Sequence, residues 1–277
     1  MSRTINRFLI WVTSNKFGQR FLDKKIRKFQ KLTGVGRGYD VNSSGEVGIF
    51  MKLKTLKSLK CCIFDVGAHE GAFTRLALAC FNENDSFTIH CFEPSKTTFE
   101  ALGKNLDKNQ HVTLNNIGLG KEKGEFDLYA NSHGSVKASL TKRNQKHLGE
   151  KFDQCEEVQI DTIDNYCSQN NIQCIDLLKI DVEGHELDVL HGAQNMFVNR
   201  GIKMVSFEFG DCNIDTRTYF RDFYWFFKEL AFQLYRITPS GYLYPLPPYN
   251  ESYEQLRVTN FLAIRKGLEQ VSSVSGK

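Results

Sequence analysis

Two hydrophobic rhythms alternate along the chain. Unbroken apolar runs end at Gly, Pro or an acid, and most are followed by stretches whose apolar residues recur every three or four positions. CCIFDVG (61–67), FTIHCFEP (87–94), VTLNNIGLG (112–120), IDLLKIDVEG (175–184) and MVSFEFG (204–210) read as buried strands. FTRLALACF (73–81), KTTFEALGKNLDKN (96–109), HELDVLHGAQNMF (185–197) and TYFRDFYWFFKELA (218–231) carry the helical period. FDLYA (126–130) and EEVQIDTID (156–164) are shorter strands, and FQLYRITP (232–239) forms a closing pair with NFLAIRK (260–266). Strands separated by helices imply right-handed crossovers and an α/β fold, a mostly parallel sheet with helices on both faces. Ligands bind such sheets beyond the carboxyl ends of the strands.

Residues 1–60 follow another pattern. Ile5, Phe8, Leu9 and Val12, then Phe21, Leu22, Ile26 and Phe29, keep the 3.6 period with Lys and Arg between them, which predicts a helix over about 3–30. TGVGRGYDVNSSGE (33–46) reads as loop. This front holds 14 Lys and Arg against three acids, +11, while residues 61–277 hold 22 against 29, −7; the sum is +4. The charge split divides the chain into a basic helical extension (1–60), an α/β domain (61–270) and a tail (271–277). A basic amphipathic helix either lies on an anionic membrane surface or packs its apolar stripe on the domain. No apolar run reaches the roughly 18 residues of a spanning helix. The expected location is therefore cytoplasmic, with membrane contact only at the periphery. Eight cysteines without a C-x-x-C read as reduced thiols rather than disulfides.

Three strand ends carry candidate chemistry. In D-V-G-A-H-E-G (65–71), Gly67 permits a tight turn and close approach of a ligand, and the helix starting near Gly71 aims its free N–H groups there. Asp65 would repel a pyrophosphate and suit a cationic or amino-bearing ligand. Glu93 closes the second strand, where an acid can take both hydroxyls of a ribose. KIDVEGHE (179–186) places Asp181, Glu183 and Glu186 at the mouth of the fourth strand, and Glu208 ends the fifth. Converging acids repel unless they bind a cation or one keeps a proton, so Asp181 and Glu208 are candidates for a general base or a divalent-metal pair. Glu186 also reads as an ordinary helix-start residue. His133, with Ser135 and Ser139, lies in a polar segment that either closes over a substrate or is plain loop. Tyr242, Tyr244 and Tyr249 read as a lid or sugar-stacking surface, or equally as core and turn aromatics. His185 and His191 are not spaced as H-E-x-x-H, which excludes zinc-protease chemistry. LPPYN (246–250) looks like the tetrad of amino-methylating DNA enzymes, but the fourth strand is followed by DVEG instead, so no DNA partner is expected.

The chain resembles the FkbM-type methyltransferases, within the class I S-adenosylmethionine (SAM)-dependent enzymes. FDVGAHEGAFT (64–74), CFEPSKTTFEAL (91–102), LNNIGLG (114–120), IDTIDNY (160–166), IDLLKIDVEGHELDVLHGA (175–193) and VSFEFG (205–210) carry the resemblance over about 61–266. SSGE (43–46) also looks like a lead-in of bacterial members, and His69 departs from the commoner Asn. The resemblance implies a Rossmann-like fold with a seven-stranded sheet. It implies SAM at the first two strand ends, with Asp65, Gly67, His69 and Gly71 around the methionine portion, Glu93 on the ribose, and Asn116 and Ile117 near the adenine. It further implies O-methylation of a sugar, glycan or hydroxylated metabolite. Asp181, with Glu208 as neighbour, would act as base or as Mg²⁺ ligand beside the acceptor, and His133, Ser139, Tyr242 and Tyr244 would be acceptor contacts. Two other classes stay open: an RNA or protein methyltransferase using the basic front as an arm, and a catalytically idle SAM-fold binding protein. Composition leaves the oligomeric state open.

Overall fold

The computed structural model describes residues 3–268 apart from 57, 59, 83–84 and 107–108; the expected tail (271–277) lies outside the described residues. The basic front forms two helices, α1 (Arg3–Thr13) and α2 (Lys16–Leu32), where one was expected. The break has a local cause. The hydroxyls of Thr13 and Ser14 donate back to the carbonyls of Leu9 (2.7 Å) and Ile10 (2.6 Å), and Asn15 Oδ1 then accepts from the N–H groups of Phe17 (3.1 Å) and Gly18 (2.9 Å), capping a new helix. No residue of α2 is buried. Its apolar stripe therefore does not pack on the domain. A third helix, α3 (Val47–Thr55), does: Ile49, Phe50 and Leu53 are buried against the sheet, each contributing about 1.5–3 kcal/mol. α3 thus shares its core with the first two strands of the sheet that follows.

Next come β1 (Cys61–Val66), α4 (Ala72–Cys80), β2 (Phe87–Phe92), α5 (Lys96–Leu106) and β3 (Val112–Asn115). The chain then leaves the main sheet. A second sheet, in the order β4-β6-β5, is built from β4 (Gly118–Leu119), β5 (Gly124–Ala130) and β6 (Gln154–Asp161). The single run expected at 112–120 is thus two strands in two sheets. After α6 (Ile163–Gln169) and β7 (Ile175–Ile180), the helix expected at 185–197 is split into α7 (Glu186–His191) and α8 (Gln194–Val198). Gly192 lies between them, where a Cβ would collide with the carbonyl oxygen of Gly120. The chain ends with β8 (Ile202–Phe209), α9 (Cys212–Thr216), α10 (Phe220–Glu229), β9 (Phe232–Ile237), β10 (Leu243–Pro245) and β11 (Thr259–Arg265).

The main sheet has eight strands in the order β10-β9-β11-β8-β7-β1-β2-β3, one more than expected; the addition is the short edge strand β10. β8-β7-β1-β2-β3 are parallel and β11 is antiparallel to both β8 and β9. The expected closing pair is therefore present. Helices α6, α7, α8 and α10 bury Ile163, Val189, Phe197 and Phe223 on one face. On the other, α3, α4 and α5 bury Phe50, Phe73 and Leu102. All eight cysteines are free thiols. No described helix is long and apolar enough to cross a membrane.

Candidate active site

Parallel register decides which residues meet. Val66 pairs with Phe92 on one side and Ile180 on the other, and Ile180 pairs with Phe207. One residue further along each strand stand Gly67, Glu93, Asp181 and Glu208. These four line one cavity of about 330 Å³ at the carboxyl ends of the strands, within the range of small-molecule sites.

The Gly67 turn is tight because it must be. Gly67 has φ +75°, and a Cβ there would collide with the carbonyl oxygen of Asp181. His69 also sits in the left-handed region at φ +47°, which His and Asn tolerate better than most residues. Its backbone N–H donates to Glu93 Oε2 at 2.9 Å, and the N–H of Ser95 donates to Glu93 Oε1 at 3.0 Å. Burial nevertheless pushes the Glu93 carboxyl up to about 7. Beyond Glu93, Pro94, Gly118, Leu119, Leu128 and Ile160 form an apolar slot between the two sheets.

Asp65 does not face this cavity. It is fully buried, with Oδ1 3.1 Å from Lys179 Nζ and Oδ2 accepting from Thr74 Oγ1 at 2.7 Å. An inward-facing position on β1 gives it an internal partner instead of a ligand. Lys179 also donates to the carbonyl of Gly67 at 3.0 Å and lies 3.6 Å from Asp181 Oδ2. Burial pushes the Lys179 ammonium down, but Asp65, Asp181 and Glu46 outweigh it, and the net pKa is raised. Lys179 is therefore a fixed positive charge behind Asp181, whose side chain remains 41% exposed toward the cavity.

Glu208 behaves differently. Burial, then the neighbouring Asp181, Glu183, Glu186 and Glu46, hold its carboxyl well above the ordinary range, which favours the protonated form. Glu183 is pushed up to about 8 by burial and by Asp181, and it is anchored by Arg143 Nη1 at 2.6 Å. Glu186 is no ordinary helix-start residue. It is fully buried, and its Oε1 accepts from the N–H groups of Val182 (3.1 Å) and Gly184 (3.0 Å), pinning the turn that follows Asp181.

Other expected residues land elsewhere. Gly71 packs toward Leu102 and Leu106 rather than the cavity, since a Cβ would sit 2.9 and 2.8 Å from their methyl carbons. Asn116 turns back to donate to the carbonyls of Glu93 (2.9 Å) and Pro94 (3.1 Å), and Ile117 packs into the core. Gly118 and Leu119 take the lining place expected of them. Ser139 is buried, its hydroxyl donating to the Glu183 carbonyl at 2.7 Å. His133 borders a smaller neighbouring cavity. Tyr242 and Tyr244 belong to the β9–β10 edge, and Tyr244 stacks with Arg236 at 5.1 Å; β11 and β9 separate that edge from the cavity-lining strand β8. Among the described residues, no group of three or more His, Cys, Asp or Glu side chains is arranged to hold a metal ion. Lys179, 3.6 Å from Asp181 Oδ2, offsets the repulsion between Asp181 and Glu208, and the Mg²⁺ expectation has no donor set of three or more such side chains behind it among the described residues.

Sequence reasoning missed three cavity contributors. Gly38 and Tyr39, from the loop after α2, form one wall. That loop is held by Val258, whose carbonyl accepts from the N–H groups of Gly36, Arg37 and Gly38 at 2.9, 3.1 and 3.2 Å. Arg143 comes from the long β5–β6 connection and ion-pairs with Glu183, Asp211 (3.2 Å) and Asp215 (3.9 Å). A Gly-x-Gly run within a Gly- and Ser-rich loop and an isolated Arg in a polar segment carry no positional signal of their own.

Comparison with known proteins bears on this site. The FkbM methyltransferase domain family matches residues 65–234. The chain is similar to the 2-O-methyltransferase NoeI of Sinorhizobium fredii, with 26% identity over 141 residues, 48% of this chain and 57% of that protein. It is similar to Methyltransferase 1 of Beauveria bassiana, with 29% identity over 148 residues, 47% of this chain and 57% of that protein. It thus spans little more than half the length of these curated relatives. Among solved structures it resembles a putative rRNA methylase from Clostridium thermocellum, at 11% identity and TM-score 0.43, covering 80% of this chain and 94% of that one. The family match runs from the end of β1 into β9, more than half of the chain and every strand end just described. The chain belongs to the FkbM methyltransferase domain family.

Proposed function

We propose that the protein is a SAM-dependent O-methyltransferase acting on a hydroxyl of a sugar, a glycan or a hydroxylated small metabolite. The observation that carries this reading is the strand register, which gathers Gly67, Glu93, Asp181 and Glu208 around one cavity. The name of the relative NoeI, a 2-O-methyltransferase, supports hydroxyl chemistry.

The residues fit the cofactor. The apolar slot of Leu119, Leu128 and Ile160 suits a flat purine, Glu93 suits a vicinal diol, and the missing Cβ of Gly67 leaves room for close approach. SAM, when bound, supplies a methyl group made electrophilic by a positively charged sulfur. Asp181, open to the cavity, gives the electrostatic complement to that charge, with Lys179 and Arg143 largely occupied by internal partners. Asp181 takes the proton of the acceptor hydroxyl as its oxygen becomes nucleophilic; the pKa of a sugar hydroxyl lies far above 7, so this help is needed. Glu208, whose burial and acidic neighbours favour its protonated form, donates a hydrogen bond that orients the acceptor beside Asp181. Tyr39 and Arg143 border the acceptor's approach.

The test is methyl transfer from isotopically labelled SAM to a panel of saccharides, polyols, RNA and peptides, read by mass spectrometry. Label on saccharide or polyol oxygen is the expected result. Label confined to RNA or peptide, or no binding of SAM at all, overturns the reading.

A further inference from the structure

We propose that α1 and α2 dock the protein on an anionic membrane surface. Phe8, Trp11, Phe17, Phe21, Phe29 and Leu32 are each between 58% and 82% exposed. A run of aromatic and aliphatic side chains this size, left in water along two helices, marks an interaction surface. Its neighbours decide the partner. α2 carries seven Lys and Arg (Lys16, Arg20, Lys24, Lys25, Arg27, Lys28, Lys31) against the single acid Asp23. A second copy of the chain would oppose these charges with the same sign. A nucleic acid would take the charges and leave the apolar side chains in water. An anionic bilayer satisfies both, with the rings and Leu32 at the acyl boundary and the basic residues at the headgroups.

The geometry ties this surface to the cavity. Gly18 lets α1 and α2 meet closely, since a Cβ there would sit 2.6 Å from Thr13 Cα. At the other end of α2, Gln30 accepts from Arg257 Nη1 at 2.8 Å and donates to Gln255 Oε1 at 3.1 Å. Arg257 is adjacent to Val258, which holds Gly36, Arg37 and Gly38, and Gly38 and Tyr39 form the cavity wall. A membrane-bound α2 thus holds the cavity-lining loop beside the bilayer.

Flotation of the full chain with phosphatidylcholine vesicles, with and without phosphatidylglycerol, tests the proposal. The wild-type chain should float with phosphatidylglycerol vesicles at low salt and less at high salt. Phe17→Ser/Phe21→Ser should lose about tenfold or more in partitioning, because two exposed aromatic rings no longer enter the acyl boundary. Both positions are exposed, so folding is preserved, and unchanged SAM binding by the variant confirms it. In a Trp225→Phe background, Trp11 emission should shift to shorter wavelength when vesicles are added. A wild-type chain that stays unbound, or a variant that floats equally, overturns the proposal. So does a dimer or an RNA complex formed through this face without vesicle binding. A chain that floats yet binds no SAM keeps the membrane proposal and removes the enzymatic one.

Discussion

Lys179 Nζ lies 3.1 Å from Asp65 Oδ1, in a pair with neither partner meaningfully exposed. The ion pair sits directly beneath the glycine turn, because Lys179 also holds the Gly67 carbonyl at 3.0 Å. The two lysine contacts set the height of the turn against β7, and so the distance between the first strand end and Asp181. The acid of the first motif is thus a structural anchor.

Removing Lys179 should therefore cost more stability than its single charge implies. Lys179→Met leaves the Asp65 carboxylate buried without its counter-charge, at a cost of about 3–5 kcal/mol. The pair's contribution persists through neutral pH, because a raised lysine pKa is lost only as pH climbs through that raised value. Urea unfolding at neutral pH measures the loss, and Asp65→Asn/Lys179→Met should recover most of it. A single variant as stable as wild type would show that the pair does no anchoring.

Glu93 should make SAM binding depend on pH. Its folded-state carboxyl is pushed up to about 7 by burial, so the folded chain holds this proton more tightly than the unfolded chain does. Ionising Glu93 therefore costs folding stability as pH rises from the ordinary carboxylate range to about 7. Ribose hydroxyls bind the ionised form best, so affinity for SAM should rise as pH climbs through about 7 and then level off. Glu93→Gln should weaken binding by about 1.5–3 kcal/mol and flatten the profile. Calorimetry at roughly one pH unit either side of 7 separates the cases; a flat wild-type profile removes Glu93 from the ribose.

Much of this site was legible because strand ends are encoded locally. An apolar run stopped by Gly or an acid marks both the strand and the residue beyond it, and parallel pairing then brings Gly67, Glu93, Asp181 and Glu208 into line. What escaped depends on contacts distant in sequence. The inward position of Asp65 becomes intelligible only with Lys179 opposite it in register on β7. The turn from one sheet to another at Asn116 replaces Asn116 and Ile117 by Gly118 and Leu119 as lining residues. Tyr39 reaches the cavity because Val258, near the far end of the chain, holds the loop before it. The helix break at Asn15 was readable in principle from Thr-Ser-Asn, a hydroxyl-rich end followed by a cap, but the hydrophobic period runs through it.

The turn after Asp181 should depend on the Glu186 acceptor more than on its charge. Burial raises the Glu186 carboxyl, and one oxygen receives two backbone N–H groups. Glu186→Gln keeps a carbonyl oxygen for both and should cost less than about 1 kcal/mol. Glu186→Ala strands both donors in a dry site and should cost about 1–3 kcal/mol. Thermal unfolding of the two variants gives the comparison, and equal losses would assign the role to charge instead.

Asp181 and Glu208 can be told apart by what each amide replacement removes. Asp181→Asn deletes the only proton acceptor the mechanism uses, while leaving Gly67, Glu93 and the apolar slot intact. SAM binding should be unchanged and methyl transfer should fall roughly 10²–10⁴-fold. Glu208→Gln should be milder, because burial and acidic neighbours already disfavour the Glu208 charge and an amide still donates a hydrogen bond. If the roles were exchanged, with Glu208 the base, Glu208→Gln would be the larger loss. EDTA should leave the rate unchanged and added Mg²⁺ should not raise it, since Lys179 at 3.6 Å already supplies Asp181 with a fixed cation. Restoration of an EDTA-treated enzyme by Mg²⁺ would instead place a metal between the two acids, and Asp181→Asn turning over at the wild-type rate would remove Asp181 from the chemistry.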